Sequence, residues 1–185
     1  MRKSLGAKPL IYPQPVLIIG TYQDNGEANA MNAAWGGVVD VNRISIALSM
    51  HNSTANILKR KAFTVSMATS KEVVACDFVG VVSANKDPEK MKKTGWHVIK
   101  SEVVDAPYFE ELPLALECEL VSYDEESEIL IGEIRNVLVD ESILDENGKI
   151  DVEKLDVICF DSSNYGYYTL GSKVGTAFKD GFKLK

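Results

Sequence analysis

Ser49, His51, Asn52, Ser53, Thr54 and Asn56 crowd into one short stretch directly after the apolar run Ile44–Met50. Compact hydroxyl and amide side chains at a strand end supply the donors that an anion or a hydroxylated ligand needs. If a helix begins there, its first backbone N–H groups lack partners and carry the positive end of the dipole. The same residues also suit a structural role, because Ser and Thr cap helices and Asn shapes turns without any ligand. His51 divides the same way: its imidazole can bond or attract a ligand oxygen, or it can make a local structural bond. No Ser/His/Asp arrangement surrounds it that would make it a general base.

Two flanking segments extend the candidate region. Upstream, Asn29 and Ala30 lead to Trp35, whose ring can form an apolar cofactor wall or fill an ordinary core. Gly36 and Gly37 permit close backbone approach or a sharp turn. They form no dinucleotide fingerprint, and no GxxxxGK[ST] phosphate loop occurs in the chain. Downstream, the charged run Lys86–Lys93 can deliver an ammonium to an anionic ligand or remain a solvated loop. Lys86 and Lys90 are its better candidates, being nearest Ser83 and Asn85. Near the C terminus, Tyr165, Tyr167, Tyr168 and Phe178 can cover a planar ligand or stabilise a returning hairpin.

Positioning these residues falls to a strand-rich chain. Val16–Thr21 is β-branched and ends at Asp24-Asn25-Gly26, a strong turn signal. Ala28–Trp35 resumes a strand or forms a short helix, and Ile44–Met50 is a further strand. Thr54–Lys61 reads as a helix, Phe63–Ala68 as a strand and Lys71–Val79 as a helix. Asn85–Lys93 reads as a loop or short surface helix, and Val98–Val104 as an edge strand. Ala115–Tyr123 and Ile129–Val139 resemble paired strands across a polar turn. Along the first of these, Leu116, Cys118 and Leu120 share one face, and Glu117 and Glu119 the other. Such hydrophobic strands must bury their faces, which favours a mostly β domain closed or partly closed into a barrel, with short inserted helices. A doubly wound α/β fold competes, but the turns near Asn25, Glu125 and Asn147 fit hairpins better.

Composition bounds the functional classes. The chain has 185 residues, enough for one sizeable domain, with 45% apolar and 25% charged residues. A net charge of −7 argues against a broad nucleic-acid surface. The N-terminal stretch after Arg2, Lys3 and Lys8 is apolar, but Pro9, Pro13 and Pro15 interrupt it. It shows no cleavage pattern and no membrane-spanning length, so a cytoplasmic protein without a membrane segment is expected. Cys76, Cys118 and Cys159 form neither a CxxC pair nor a zinc pattern, and two histidines make a metal centre a poor prospect.

Taken in order, NAMNAAWGG, ISIALSMHNSTANI, FTVSMAT, VSANKDPEKMKKTGW, APYFEELPLALECEL and ILIGEI resemble the flavin reductase-like family, especially its flavoredoxin-like branch. The resemblance extends across nearly the whole chain. It implies a single domain over residues 1–185, a Greek-key-like FMN-binding split barrel that assembles as a homodimer. It implies noncovalent FMN, placed near the subunit interface. Asn29, Ala30 and Trp35 match the family's early cofactor segment; Ser49, Met50, His51, Thr54 and Asn56 match its strand-to-helix segment. Lys90 matches the later basic position, with Lys86 as the alternative.

The expected activity is that of an FMN-dependent oxidoreductase, either an NADH- or NADPH-dependent flavin reductase or a flavoredoxin-like electron carrier. A non-catalytic flavin-binding redox or sensory module is the alternative. No protein side chain is expected to be catalytic and no metal is expected. Two departures stand out: Glu125–Glu128 replaces a segment that often carries Gly and His, and Ala84 replaces a common Gly. The first bears on substrate access, flavin tuning or donor preference.

Overall fold

The computed structural model describes residues 1–185. Its strands are β1 (Gln14–Pro15), β2 (Leu17–Tyr22), β3 (Ala28–Ala33), β4 (Gly36–Asp40), β5 (Arg43–Ala47), β6 (Ala62–Met67), β7 (Val98–Lys100), β8 (Pro107–Phe109), β9 (Leu114–Asp124), β10 (Ile129–Val139), β11 (Ile158–Asp161) and β12 (Gly166–Thr169). The helices are α1 (Asn52–Arg60), α2 (Val73–Val81), α3 (Lys90–Thr94) and α4 (Val152–Leu155). None is long and apolar enough to cross a membrane.

The main sheet has seven antiparallel strands in the order β3-β2-β6-β9-β10-β5-β4. Strands β3 and β4 lie at opposite ends of this order, yet only Ala34 and Trp35 separate them in the chain. The sheet must therefore curl until its two edges approach, which gives a split barrel rather than an open sheet. Leu17, Ile19, Ile44, Ile46, Phe63, Val65 and Leu130 fill its interior. Helix α1 joins β5 to β6, and its Ile57 belongs to the same interior cluster. Strand alternation sends Val16 and Ile18 to the other face, where they pack with Cys76, Val79, Trp96, Phe109 and Ile158. That second core explains why β2 reads as a continuous apolar run: both of its faces are covered. The shorter sheet β1-β11-β12 contributes Ile158 to this outer layer.

Several sequence expectations take a different form. The segment from Ala28 is strand, because β2 pairs with it throughout. The expected strand Val98–Val104 shortens to β7, paired only with β8. Glu117 keeps the face of Glu119, as strand alternation requires, but is covered there: it is 1% exposed. It accepts hydrogen bonds from Ser101 Oγ and, at 2.6 Å, from Asn136 Nδ2. The segment holding Ser101 and Val104 supplies both a donor and a cover, which strand alternation alone does not reveal.

Gly20 shows how tightly the layers meet. A Cβ there would lie 2.5 Å from the Pro107 carbonyl oxygen and 3.3 Å from Phe109. Because Pro107 presents backbone rather than a flexible tip, Gly20→Ala is expected to destabilise the fold by about 1–3 kcal/mol. A lower urea midpoint with an unchanged slope checks this.

Candidate functional site

The polar stretch identified in the sequence becomes the start of α1. His51 occupies the N-cap in extended conformation, and no side chain caps the helix. No acidic residue lies in its first turn, while Lys59 and Arg60 occupy the last. The basic residues complement the C-terminal end of the dipole; the N-terminal end has no anionic counterpart. Thr54 explains the local backbone: its buried hydroxyl donates to the Ser49 carbonyl at 2.7 Å, tying the strand exit to the helix. Asn56 faces inward too and donates to Thr21 Oγ1 at 3.2 Å.

Across from this helix end stands Lys90, the first residue of α3. It is 3% exposed, and the one hydrogen bond of its side chain is a 2.6 Å donation to the Ala30 carbonyl on β3. No carboxylate pairs with it, so burial lowers the amine's pKa from 10.5 to about 8. The expected surface loop therefore carries one inward-facing cation. The neighbouring Lys92 and Lys93 instead pair with Glu89 and Asp87 at 2.9 and 2.6 Å. Gly95 ends α3 in the left-handed conformation. Trp96 anchors the turn beyond it, donating from its indole to Glu72 at 2.9 Å and packing on Phe109.

Between them lies a cleft of about 230 Å³, whose lining includes Asn29, Asn32, His51, Ser53, Ser83 and Lys90. Helix α2 forms one wall. A Cβ on its Gly80 would fall 2.9 Å from Asn32 Cβ, so glycine is what lets α2 sit this close to β3. Asn29 donates to Ser53 Oγ at 2.9 Å, while its own buried Oδ1 has no partner. A buried ammonium, an unopposed helix N terminus and an unpaired buried acceptor sit around one space. This donor and acceptor set fits a phosphate monoester carried on a hydroxylated chain.

The remaining candidates are dispersed. Ala30 contributes its carbonyl to Lys90 and its methyl to the outer core. Ser49 is exposed and donates to Glu128 at 2.6 Å. Met50 is exposed as well, and neither lines the cleft. Trp35 is 56% exposed and lies in a separate groove with Ile11, Tyr12 and Pro13. Lys86 is exposed and outside the cleft.

Sequence reasoning missed Asn32 and Gly80, whose roles depend on the approach of α2 to β3. Their types carried no local signal. Tyr167 gains a partner too: its hydroxyl donates to Asp77 at 2.7 Å, and burial, reinforced by that carboxylate, pushes its pKa up to about 12. Burial likewise pushes the Cys76 and Cys118 thiols up to about 12, so neither supplies a thiolate at neutral pH.

A family model described as the flavin reductase-like domain matches residues 10–163. Among solved structures, flavoredoxin of Desulfovibrio vulgaris (Miyazaki F) is similar at 36% identity and a TM-score of 0.93, covering 98% of this chain and 100% of that one. Flavoredoxin from Methanosarcina acetivorans is similar at 28% identity and a TM-score of 0.89, with 100% of both chains covered. An FMN-binding domain of a flavin reductase-like enzyme from Shewanella baltica shares the fold at 18% identity and a TM-score of 0.78. That match covers 88% of this chain and 89% of the other.

The Thr54 bond generates a stability test. Thr54→Val keeps the shape but leaves the Ser49 carbonyl without its donor, and is expected to cost about 1–2 kcal/mol in chemical denaturation of the ligand-free protein. An unchanged denaturation midpoint would show that this hydroxyl does not hold the strand-to-helix turn.

Proposed function

The chain belongs to the flavin reductase-like family of FMN-binding split-barrel redox proteins, and on that premise we propose a cytoplasmic, homodimeric flavoredoxin-like oxidoreductase. Its electrons come from NADH, NADPH or a protein donor and leave to a flavin or protein acceptor. The observation that carries this reading is the buried Lys90 ammonium beside the α1 N terminus, in a chain 36% identical to a flavoredoxin.

FMN, when bound, supplies the reversible electron chemistry. The proposed cofactor residues are Asn29, Ala30, Trp35, Ser49, Met50, His51, Thr54, Asn56 and Lys90. Lys90 and the first N–H groups of α1 hold the phosphate. Asn29 Oδ1 accepts a hydroxyl of the ribityl chain, while Asn29 Nδ2 positions Ser53. Thr54 and Asn56 act from inside the helix, fixing the backbone that presents those N–H groups. Trp35 and Met50 lie outside the cleft, and Trp35 adjoins the exposed apolar residues Val38, Val39 and Val41 at edge strand β4. An apolar edge of this kind calls for a cover. A second copy supplies one and brings Trp35 into a shared site.

The charge on Lys90 sets a pH dependence. A phosphate dianion favours the ammonium, whereas burial favours the neutral amine in the empty cleft. FMN affinity is therefore expected to hold up to about pH 8 and then fall by up to one decade per pH unit, a decline that riboflavin does not share. Lys90→Met should weaken FMN roughly 10- to 100-fold and abolish that decline. Fluorescence titration across pH measures both effects, and a variant with wild-type affinity removes Lys90 from the site.

The electron donor is tested with FMN-reconstituted protein under anaerobic conditions. Addition of NADH or NADPH is expected to bleach the flavin absorbance, with turnover once free flavin is supplied. No bleaching by either nucleotide would rule out direct nicotinamide-dependent reduction and leave a protein donor.

A further inference from the structure

The stretch after β12 has no place in either core. Every residue from 171 to 185 is exposed except Asp180, which is half-buried. Val174 is 100% exposed and Phe178 97%, and Phe182 and Leu184 face solvent as well. One hydrogen bond ties this arm to the rest of the chain, a 3.4 Å donation from the Lys173 N–H to Glu153 on α4. Beyond it the contacts are internal. Asp180 accepts from the Thr176 N–H at 2.8 Å and pairs with Lys183 at 2.9 Å, while the Lys185 ammonium lies 4.5 Å from the Phe182 ring centre. The arm is locally built but has no floor.

Two properties separate the arm from an idle tail. Phe178 has a φ of +61°, where a bulky side chain is sterically disfavoured and stays only when its surroundings hold it. Its own chain leaves the ring bare. The charge is reversed too: Lys173, Lys179, Lys183 and Lys185 against Asp180 give the arm +3, so the remaining residues of a chain at −7 carry −10. Opposite charges of this size steer a basic arm onto an acidic body. That body also exposes apolar side chains that lack cover, Val38, Val39 and Val41 at edge strand β4, with Trp35 beside them.

We propose that the arm of one protomer lies across the body of a second copy, with Phe178 seated on the apolar β4 surface and the lysines facing the second copy's net negative charge. The assignment rests on the homodimer proposed above and names the segment that makes it. The arm's own body carries the same charge and the same β4 surface, yet the arm lies clear of both, exposed along its length. A second copy offers that surface again. Two chains at −7 repel as whole objects, whereas exchange of arms sets +3 against −10 at each contact. A two-fold axis makes the contact twice, so each arm side chain counts two times.

Sedimentation velocity of the full chain across a concentration series measures the dimer constant. Phe178→Ser removes an exposed ring and is expected to weaken dimerisation at least about tenfold, with a far-ultraviolet circular dichroism spectrum matching the wild type. Phe178→Gly suits the positive φ but lacks the ring, and should weaken it as much. Lys173→Glu combined with Lys179→Glu, and Val41→Lys on the β4 side, should each weaken it about tenfold as well. Wild-type affinity in either Phe178 variant, in the charge-reversed arm or in Val41→Lys would overturn the arm contact and leave the homodimer to another surface. A changed spectrum in Phe178→Ser would also overturn it, by placing the ring in the fold of its own chain. A wild-type chain that stays monomeric would remove the homodimer and the arm contact together.

Discussion

A lysine ammonium buried against a strand carbonyl, with no carboxylate beside it, is the constraint on which this site depends. Taking a cation out of water is expensive unless its surroundings replace the lost hydration. In the ligand-free protein one carbonyl, that of Ala30, provides the replacement. The two carboxylates before α3 go to other lysines: Asp87 takes Lys93 and Glu89 takes Lys92. The Gly95 turn and the Trp96 anchor fix the far side of the short helix. Held from both ends, Lys90 has little freedom to retreat into solvent.

The barrel turns that constraint into a place. Curling of the seven-stranded sheet brings its edges together and leaves an outer face of β2 and β3 on which α2 and α3 pack. Helix α1 sends Ile57 into the barrel and its N terminus toward the cleft. One nine-residue helix thus serves both the core and the cleft. Such economy depends on local rigidity, which Thr54 and Asn56 provide by bonding inward to Ser49 and Thr21.

The two buried thiols and the Tyr167 hydroxyl are set for packing and polarity rather than for bond-making chemistry. The buried thiols remain protonated, and Tyr167 is held as a hydrogen-bond donor to Asp77. This division of labour suits a redox cofactor that carries its own reactivity. At the other end of the sheet, the exposed apolar residues of β4 and the adjacent Trp35 form a surface unlike the polar cleft. Polar cleft and apolar edge are therefore separated within one chain.

The sequence by itself determined the periodic features. Alternation exposed the strands, Asp24-Asn25-Gly26 and the acidic turn before β10 marked hairpins, and the density of short polar residues located the start of α1. Such signals are local, because strand pleat, turn conformation and helix capping involve neighbours in sequence. The ordered motifs also carried the family resemblance, and with it the split barrel. Tertiary structure decided which polar residues share a space. The residues alone leave Lys90 beside Lys86 as candidates in a charged run, and only the packing of α3 against β3 turns Lys90 inward to a residue 60 positions away. Glu117 alternates like a solvent-facing residue, yet Ser101 and Asn136 enclose it. Asn32 and Gly80 have no sequence signature because their importance is the close approach of two elements. Direction, burial and long-range proximity come from the packed core, and no local pattern encodes them.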